Sequence, residues 1–402
     1  MITEIKQRIE QTRRSEVPEE YQKTKDGIFP VDWNIQTMKQ WVVLAERPVT
    51  LEDDKRYRLV TVRRGFGGVD LRGEYLGKDI LVKNYFKVRQ GDFLISKRQI
   101  AHGACGVVPE SLDGAVVSNE YNVFVPNQGT NIEMFNLMMQ LPHYTRLFYL
   151  MSDGVHIEKL LFKTQDWMRR QLAMPPIEEQ QKIAAILTTQ DKVIELKEKR
   201  LVEKQRQKKY LMQQLLSGKK RLPGFIKSWT TVELGEIFNY IQPTAYLVKT
   251  TDYDDSYKTP VLTAGKTFVL GYTNETEGVF TKVPVVIFDD FTTATKYVDF
   301  PFKVKSSAMK ILTIKDGFSI VFAYEAMQLI KFTVGGHERH WISKYSCLTI
   351  DIPDIEEQTA IAKVLSAADR EIELLRQDIE QEKQKKKALM QLLLTGIVRV
   401  KL

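Results

Sequence analysis

Pro175-Pro176-Ile177-Glu178-Glu179-Gln180 and Pro353-Asp354-Ile355-Glu356-Glu357-Gln358 open two copies of one segment, residues 175 to 222 and 353 to 400, which align without a gap at an offset of 178. Ile183, Ala184, Leu187, Asp191, Ile194, Glu195, Leu196, Lys208, Lys209, Leu211, Met212, Gln213, Leu215, Leu216 and Gly218 all recur at that offset. An internal repeat dictates architecture and is read before anything else. Each copy starts with a proline and paired acids, which favour a helix N-terminus. Each stops at Ser217-Gly218 or Thr395-Gly396, a residue pair suited to helix termination.

Between these ends the apolar residues fall on a heptad seam: Ile183, Leu187, Ile194, Leu201, Leu211 and Leu215 in the first copy, Ile361, Leu365, Ile372, Leu375, Ile379, Leu389 and Leu393 in the second. The seam turns polar near Lys204, Lys208, Glu382 and Lys386. A helix over 178–216 would be about 58 Å long at 1.5 Å per residue. No small core hides such a rod, so the two copies are expected to pack on each other as a coiled coil.

The repeat divides the 402 residues into a polar, helical lead-in (1–26), a globular stretch (27–174), the first helix (175–221), a second globular stretch (222–352) and the last helix (353–402). Both globular stretches begin alike, with Ile28-Phe29-Pro30-Val31-Asp32-Trp33 and Leu222-Pro223-Gly224-Phe225-Ile226-Lys227-Ser228-Trp229, and then diverge. Strands are expected at Tyr57 to Val62, Asp92 to Ser96, Tyr121 to Val125, Val283 to Phe288, Met309 to Ile314 and Cys347 to Ile352. Helical spacing appears around Met134 to Met151 and Phe318 to Lys331. The fold class is therefore α+β: two mixed domains, each followed by a copy of one long helix.

The chain carries a formal charge of +8 and only two cysteines, Cys105 and Cys347, expected to be packed thiols rather than a disulfide or zinc site. Residues 175–221 hold 12 basic against 6 acidic side chains, whereas 222–352 hold 13 against 14. Residues 55–98 hold 12 against 4, the strongest basic patch, which suits a nucleic-acid partner. The start of the chain lacks a secretory apolar stretch and no run is long enough to span a membrane, so a cytoplasmic location is expected.

Two different globular regions, each followed by the same Pro-x-Ile-Glu-Glu-Gln helix, resemble the specificity subunit of type I restriction-modification enzymes over essentially the whole chain. Arg89 to Ser96, Val261 to Lys266 and Phe300 to Ser307 are similar to runs in that family's recognition domains. The resemblance implies two target recognition domains, each reading one half of a split DNA site, and an antiparallel helical spacer that docks two methyltransferase subunits, with restriction or translocase subunits able to join. It implies no catalytic group or cofactor on this chain, S-adenosylmethionine, ATP and Mg belonging to the partners. Duplication within one chain gives pseudo-two-fold symmetry. Because the two domains differ, the target should be asymmetric, and half-sites read from one face should lie ~34 to 36 Å apart. The alternative is a non-catalytic coiled-coil adaptor whose globular domains bind proteins.

DNA contacts should combine Lys and Arg on phosphates with a few side chains on base edges. The candidates are Arg63, Arg64, Lys97 and Arg98 in the first domain and Lys266, Lys296, Lys303, Lys305, His337 and Arg339 in the second. Other chemistry is weak. Thr263-Ala264-Gly265-Lys266-Thr267 lacks the first glycine of a phosphate loop, because Pro260 stands there. Arg63 to Gly68 could pass for a methyl-donor loop, but no Asn-Pro-Pro-aromatic motif follows, which leaves a basic loop on DNA or a plain hairpin turn. Asp191, Glu195 and Lys197 lie on the heptad helix rather than a nuclease hairpin. Asp289 and Asp290 suit a turn, and His337 with His340 lacks a third metal ligand.

Overall fold

The computed structural model describes residues 2–81, 84–154, 160–263, 267–333 and 339–400. They form two compact units, one of Met1–Leu196 with Ile379–Leu402 and one of Lys197–Asp378, so each long helix contributes one half to each unit.

The first unit opens with helix α1 (Ile2–Arg13). Its central sheet is antiparallel, in the order β8 (Cys105–Val107), β7 (Phe93–Ser96), β10 (Tyr121–Pro126), β2 (Val42–Leu44). A second sheet has the order β3 (Pro48–Val49), β6 (Tyr85–Lys87), β9 (Val116–Ser118), β4 (Arg56–Val62), β5 (Val69–Leu76), with β9 parallel to β4 and the other pairs antiparallel. Strand β1 (Asn34–Thr37) pairs with β11 (Gln171–Met174), which leads directly into the first repeat helix. Phe93 and Ile95 point to a core shared with α2 (Ile132–Met139) and Trp167, while Leu94 points to the core between the sheets. All four β7 residues are buried, so a near-continuous apolar run was required there.

The second unit repeats this plan with different residues. Its antiparallel sheet runs β17 (Thr295–Val298), β16 (Val285–Asp289), β19 (Met309–Ile314), β13 (Phe238–Ile241). A three-stranded sheet places β14 (Thr259–Leu262) between antiparallel β15 (Val269–Thr273) and parallel β18 (Lys303–Val304). Strands β12 (Thr230–Glu233) and β20 (Thr349–Ile352) pair as β1 and β11 do. Helix α4 (Ile320–Met327) occupies the place of α2.

The repeat helices are α3 (Ile177–Leu215) and α5 (Ile355–Leu393), 39 residues each and running antiparallel. Ile183 and Leu187 share the first unit's core with Leu393, and Leu215 shares the second unit's core with Ile361 and Leu365. Ile194, Ile372 and Ile379 are also buried, while Leu201, Leu211, Leu375 and Leu389 are half-buried. Each buried side chain contributes about 2 kcal/mol. The polar seam positions form ion pairs between the helices: Lys386 with Asp191 at 2.6 Å, Lys197 with Asp378 at 2.8 Å, Lys204 with Glu371 at 2.9 Å and Lys208 with Asp369 at 2.7 Å.

The ends of the helices carry a second matched set. Gln180 accepts from the backbone N of Asn131, the N-cap of α2, and Gln358 accepts from that of Ser319, the N-cap of α4, both at 2.8 Å. Arg399 donates from Nε and Nη2 to Glu179 at 2.8 and 2.7 Å, and Arg221 does the same to Glu357 at 2.7 and 2.5 Å. In the second unit Arg221 follows α3 along the chain. In the first unit the chain's last residues return to this place, held by Arg8 donating to the Ile397 carbonyl at 3.1 Å and Tyr21 donating to that of Gly396 at 2.6 Å.

Cys105 is buried but Cys347 is exposed, so the expectation of two packed thiols holds for only one. Among the described residues no helix is long and apolar enough to cross a membrane.

Candidate nucleic-acid interface

Strands β4 and β5 form a hairpin whose tip is Arg63 to Gly68, so the glycine-rich run is a hairpin turn that carries exposed arginines. The tip rests on the loop after β7: Gly65 N donates to the His102 carbonyl at 2.7 Å and Phe66 N to that of Gly103 at 2.9 Å. Arg63 and Arg64 are thereby brought beside the loop that carries Lys97 and Arg98. Arg63 pairs with Asp70 on the surface, and Arg98 Nε lies 2.7 Å from Glu120. Exposed pairs of this kind hold their partners weakly, so a phosphate can compete for both arginines. Lys97 is half-buried and donates from Nζ to the Asn119 carbonyl at 2.5 Å, which ties it to the loop before β10.

Asp92, in the Gly-Asp-Phe-Leu-Ile-Ser run, is buried and accepts from Arg47 Nη1 and Nη2 at 2.5 and 3.0 Å and from Arg89 N at 2.7 Å. The hydrogen bond to Asp92 raises the pKa of Arg47 against the effect of burial. This pair anchors the strand that leads to the basic loop.

In the second domain the candidates do not form one cluster. Lys296 is exposed on edge strand β17, whereas Lys305 is exposed beyond β18 in the other sheet, its Nζ 5.9 Å from the centre of the Tyr253 ring. Arg339 is exposed. Lys303 is only 1% exposed and donates to the Glu277 carbonyl at 2.6 Å, with Glu275 at 2.9 Å. It is a structural cation, too buried to remain among the candidates for DNA contact. Burial opposes ionisation of Glu275, but Lys303 and the amides of Thr250 and Lys249 win and hold its pKa at about 2. Lys266 and His337, with Ala264 and Gly265 of the phosphate-loop-like run, lie outside the described residues.

Sequence reasoning missed a polar hub at the end of this domain's central sheet. Lys310, fully buried, donates to Gln242 Oε1 at 2.8 Å and the Ser307 carbonyl at 2.7 Å, with Asp290 at 3.7 Å. Burial and the nearby Arg339 depress the pKa of Lys310 against the pull of Asp290. Asp290 also accepts from Trp341 N at 2.9 Å, and Asp289 closes its own turn by accepting from Thr292 at 2.5 Å. The turn reading fits Asp289, whereas the side chain of Asp290 serves the hub through Trp341 N and Lys310. His340 is fully buried, and among the described residues neither ring nitrogen has a hydrogen-bond partner.

Asp191 and Lys197 lie on α3 and pair across to Lys386 and Asp378 on α5. Among the described residues no three His, Cys, Asp or Glu side chains are grouped to hold a metal.

Two domains of shared topology and different sequence, each joined to a copy of one helix, define a class. Residues 54–204 and 226–384 match the family described as the type I restriction modification DNA specificity domain, and the chain belongs to that family. It is 54% identical over 140 residues to the type I restriction enzyme EcoR124I/EcoR124II specificity subunit of Escherichia coli, a match that spans 33% of this chain and 34% of that relative's length. It is 26% identical over 430 aligned positions, 95% of this chain and 97% of the relative, to the putative type I restriction enzyme MjaX specificity subunit of Methanocaldococcus jannaschii. Among solved structures, the type I restriction-modification S subunit from M. genitalium superposes with a TM-score of 0.63 at 13% identity, covering 90% of this chain and 96% of that one. A chain from work on assembly and conformational transition of the type I R-M system gives 0.56 at 17% identity, covering 92% and 99%. At these identities the structures speak to the fold alone.

Proposed function

We propose that this chain reads an asymmetric, bipartite DNA sequence on behalf of a type I restriction-modification complex. One observation carries the reading: the same domain plan occurs twice with different loops, and each copy is clamped by Arg, Glu and Gln to its own copy of the repeat helix. Duplicated scaffolds with different loops suit two different half-sites, because loops carry recognition while the scaffold positions them. The first domain contacts DNA through Arg63, Arg64 and the 97–98 loop, the second through Lys296 on edge strand β17 and the loops that carry Lys305 and Arg339.

The chain supplies no catalytic group in this account. Methyltransferase subunits, two by the symmetry of the repeat, dock on the helices and bring S-adenosylmethionine. A restriction or translocase subunit would bring ATP and Mg. A cytoplasmic location suits such a complex. The test is selection from a random duplex library, with and without the methyltransferase. A split motif, methylated only when the methyltransferase is present, supports the proposal. No motif would favour the adaptor reading, and S-adenosylmethionine binding or methylation by the isolated chain would contradict it.

A further inference from the structure

We propose that Phe66 is the positioning residue of the first domain, fixing its two basic loops so that base discrimination at that domain's half-site depends on an apolar ring. The inference rests on the DNA-reading role proposed above. Phe66 has φ of 58°, in the left-handed region that bulky residues rarely adopt. Such a conformation persists only where its surroundings over-determine it, and such sites are often functional. Here three backbone hydrogen bonds do so: Gly65 N to His102 O at 2.7 Å, Phe66 N to Gly103 O at 2.9 Å and Arg63 N to Gly68 O at 2.9 Å.

The ring completes the lock. It packs against the edge of the main core and lies directly on Gly103, where a Cβ would stand 3.0 Å from ring carbon Cε2. Gly103 itself has φ of 73°, so glycine is needed there for conformation and for space. Beside this contact the backbones of the hairpin and β8 approach closely, a Cβ at Gly106 falling 3.0 Å from the Gly68 Cα. The locked elements carry exposed Arg63, Arg64 and Arg98. Phosphate contacts tolerate a mobile cation, whereas a bidentate contact to a base edge requires fixed geometry. The ring therefore governs discrimination, and the charges govern affinity and salt dependence.

The test uses the full chain with its methyltransferase and a duplex that the wild type selects from a random library. Phe66→Gly removes the ring and accommodates the backbone, and Gly103→Ala crowds the ring from the other side. Affinity is measured at several salt concentrations for the selected duplex and for duplexes with either half-site scrambled. For both variants, discrimination at the half-site read by the first domain is expected to fall by about tenfold, the worth of one mispositioned bidentate contact. Discrimination at the other half-site and the salt slope should stay unchanged. Undiminished discrimination in both variants would overturn the proposal, as would equal loss at both half-sites or a reduced salt slope. A wild-type chain that discriminates neither half-site would instead overturn the DNA-reading role and this inference with it.

Discussion

Replacing Arg399 by alanine should open the first unit locally and leave the second intact. Glu179 is 1% exposed and receives two hydrogen bonds from Arg399, whose own side chain is 33% exposed and also reaches Asp32 at 2.8 Å. Stranding a buried carboxylate typically costs about 3 to 5 kcal/mol. Water reaches Arg399, so the lower end applies, about 3 kcal/mol or roughly 100-fold in the local opening equilibrium. The matched change Arg221→Ala should cost less, about 2 kcal/mol, because Glu357 still accepts from Trp229 Nε1 at 3.2 Å, whereas Glu179 keeps only the longer bond from Val400 N at 3.5 Å. Native-state hydrogen exchange resolves the two sites: β1 and β11 report the first unit, β12 and β20 the second. The pair Glu179→Gln with Arg399→Met should recover at least half of the loss, since no charge is then left buried. A cost below about 0.5 kcal/mol, as for an exposed pair, would refute the reasoning. So would protection lost equally in both units.

Three further outcomes are expected. Charge reversal of Arg63 and Arg64 should abolish selective binding and reduce the salt slope by roughly 2, while assembly with the methyltransferase, followed by gel filtration, is unchanged; retained affinity would count against these residues. Glu275, held at about 2 against an ordinary 4.5, is lowered in the folded state, so its stabilisation is present above pH 4.5 and is lost as pH falls towards 2. Melting of the second unit should therefore depend on pH across that window, and Glu275→Gln should flatten the dependence; equal slopes would contradict the assignment. Inserting about seven residues, two helical turns, at matched positions in both repeat helices should change the gap between half-sites and not the bases read, as selection from a duplex library would reveal.

The repeat was the most legible part of the chain, because identity at a fixed offset needs no structural knowledge. Its helices begin and end within a residue of the expected 178–216. Strands such as β4, β16 and β19 were legible as apolar runs between turns. The central polar seam was visible as a pattern, but its pairing was not: Asp191 meets Lys386 only because the helices run antiparallel. Arg221 and Arg399 lay inside the aligned copies without standing out, since nothing local announces a buried glutamate across the core. Lys303 misled for the same reason. It looks like a surface lysine in Lys303-Val304-Lys305, and the acid that holds it inside, Glu275, comes from a separate loop. Phe66 was hidden in a run read for its arginines, because a positive φ and a contact to Gly103 are properties of the folded chain.

The central claim is that two different reading heads share one scaffold, and mapping the bases methylated by the chain together with its methyltransferase tests it most directly. The account predicts one split motif with two unlike half-sites and a constant gap, in which exchange of residues 27–174 for another recognition domain changes one half only. A continuous or palindromic motif, or an exchange that altered both halves, would contradict it.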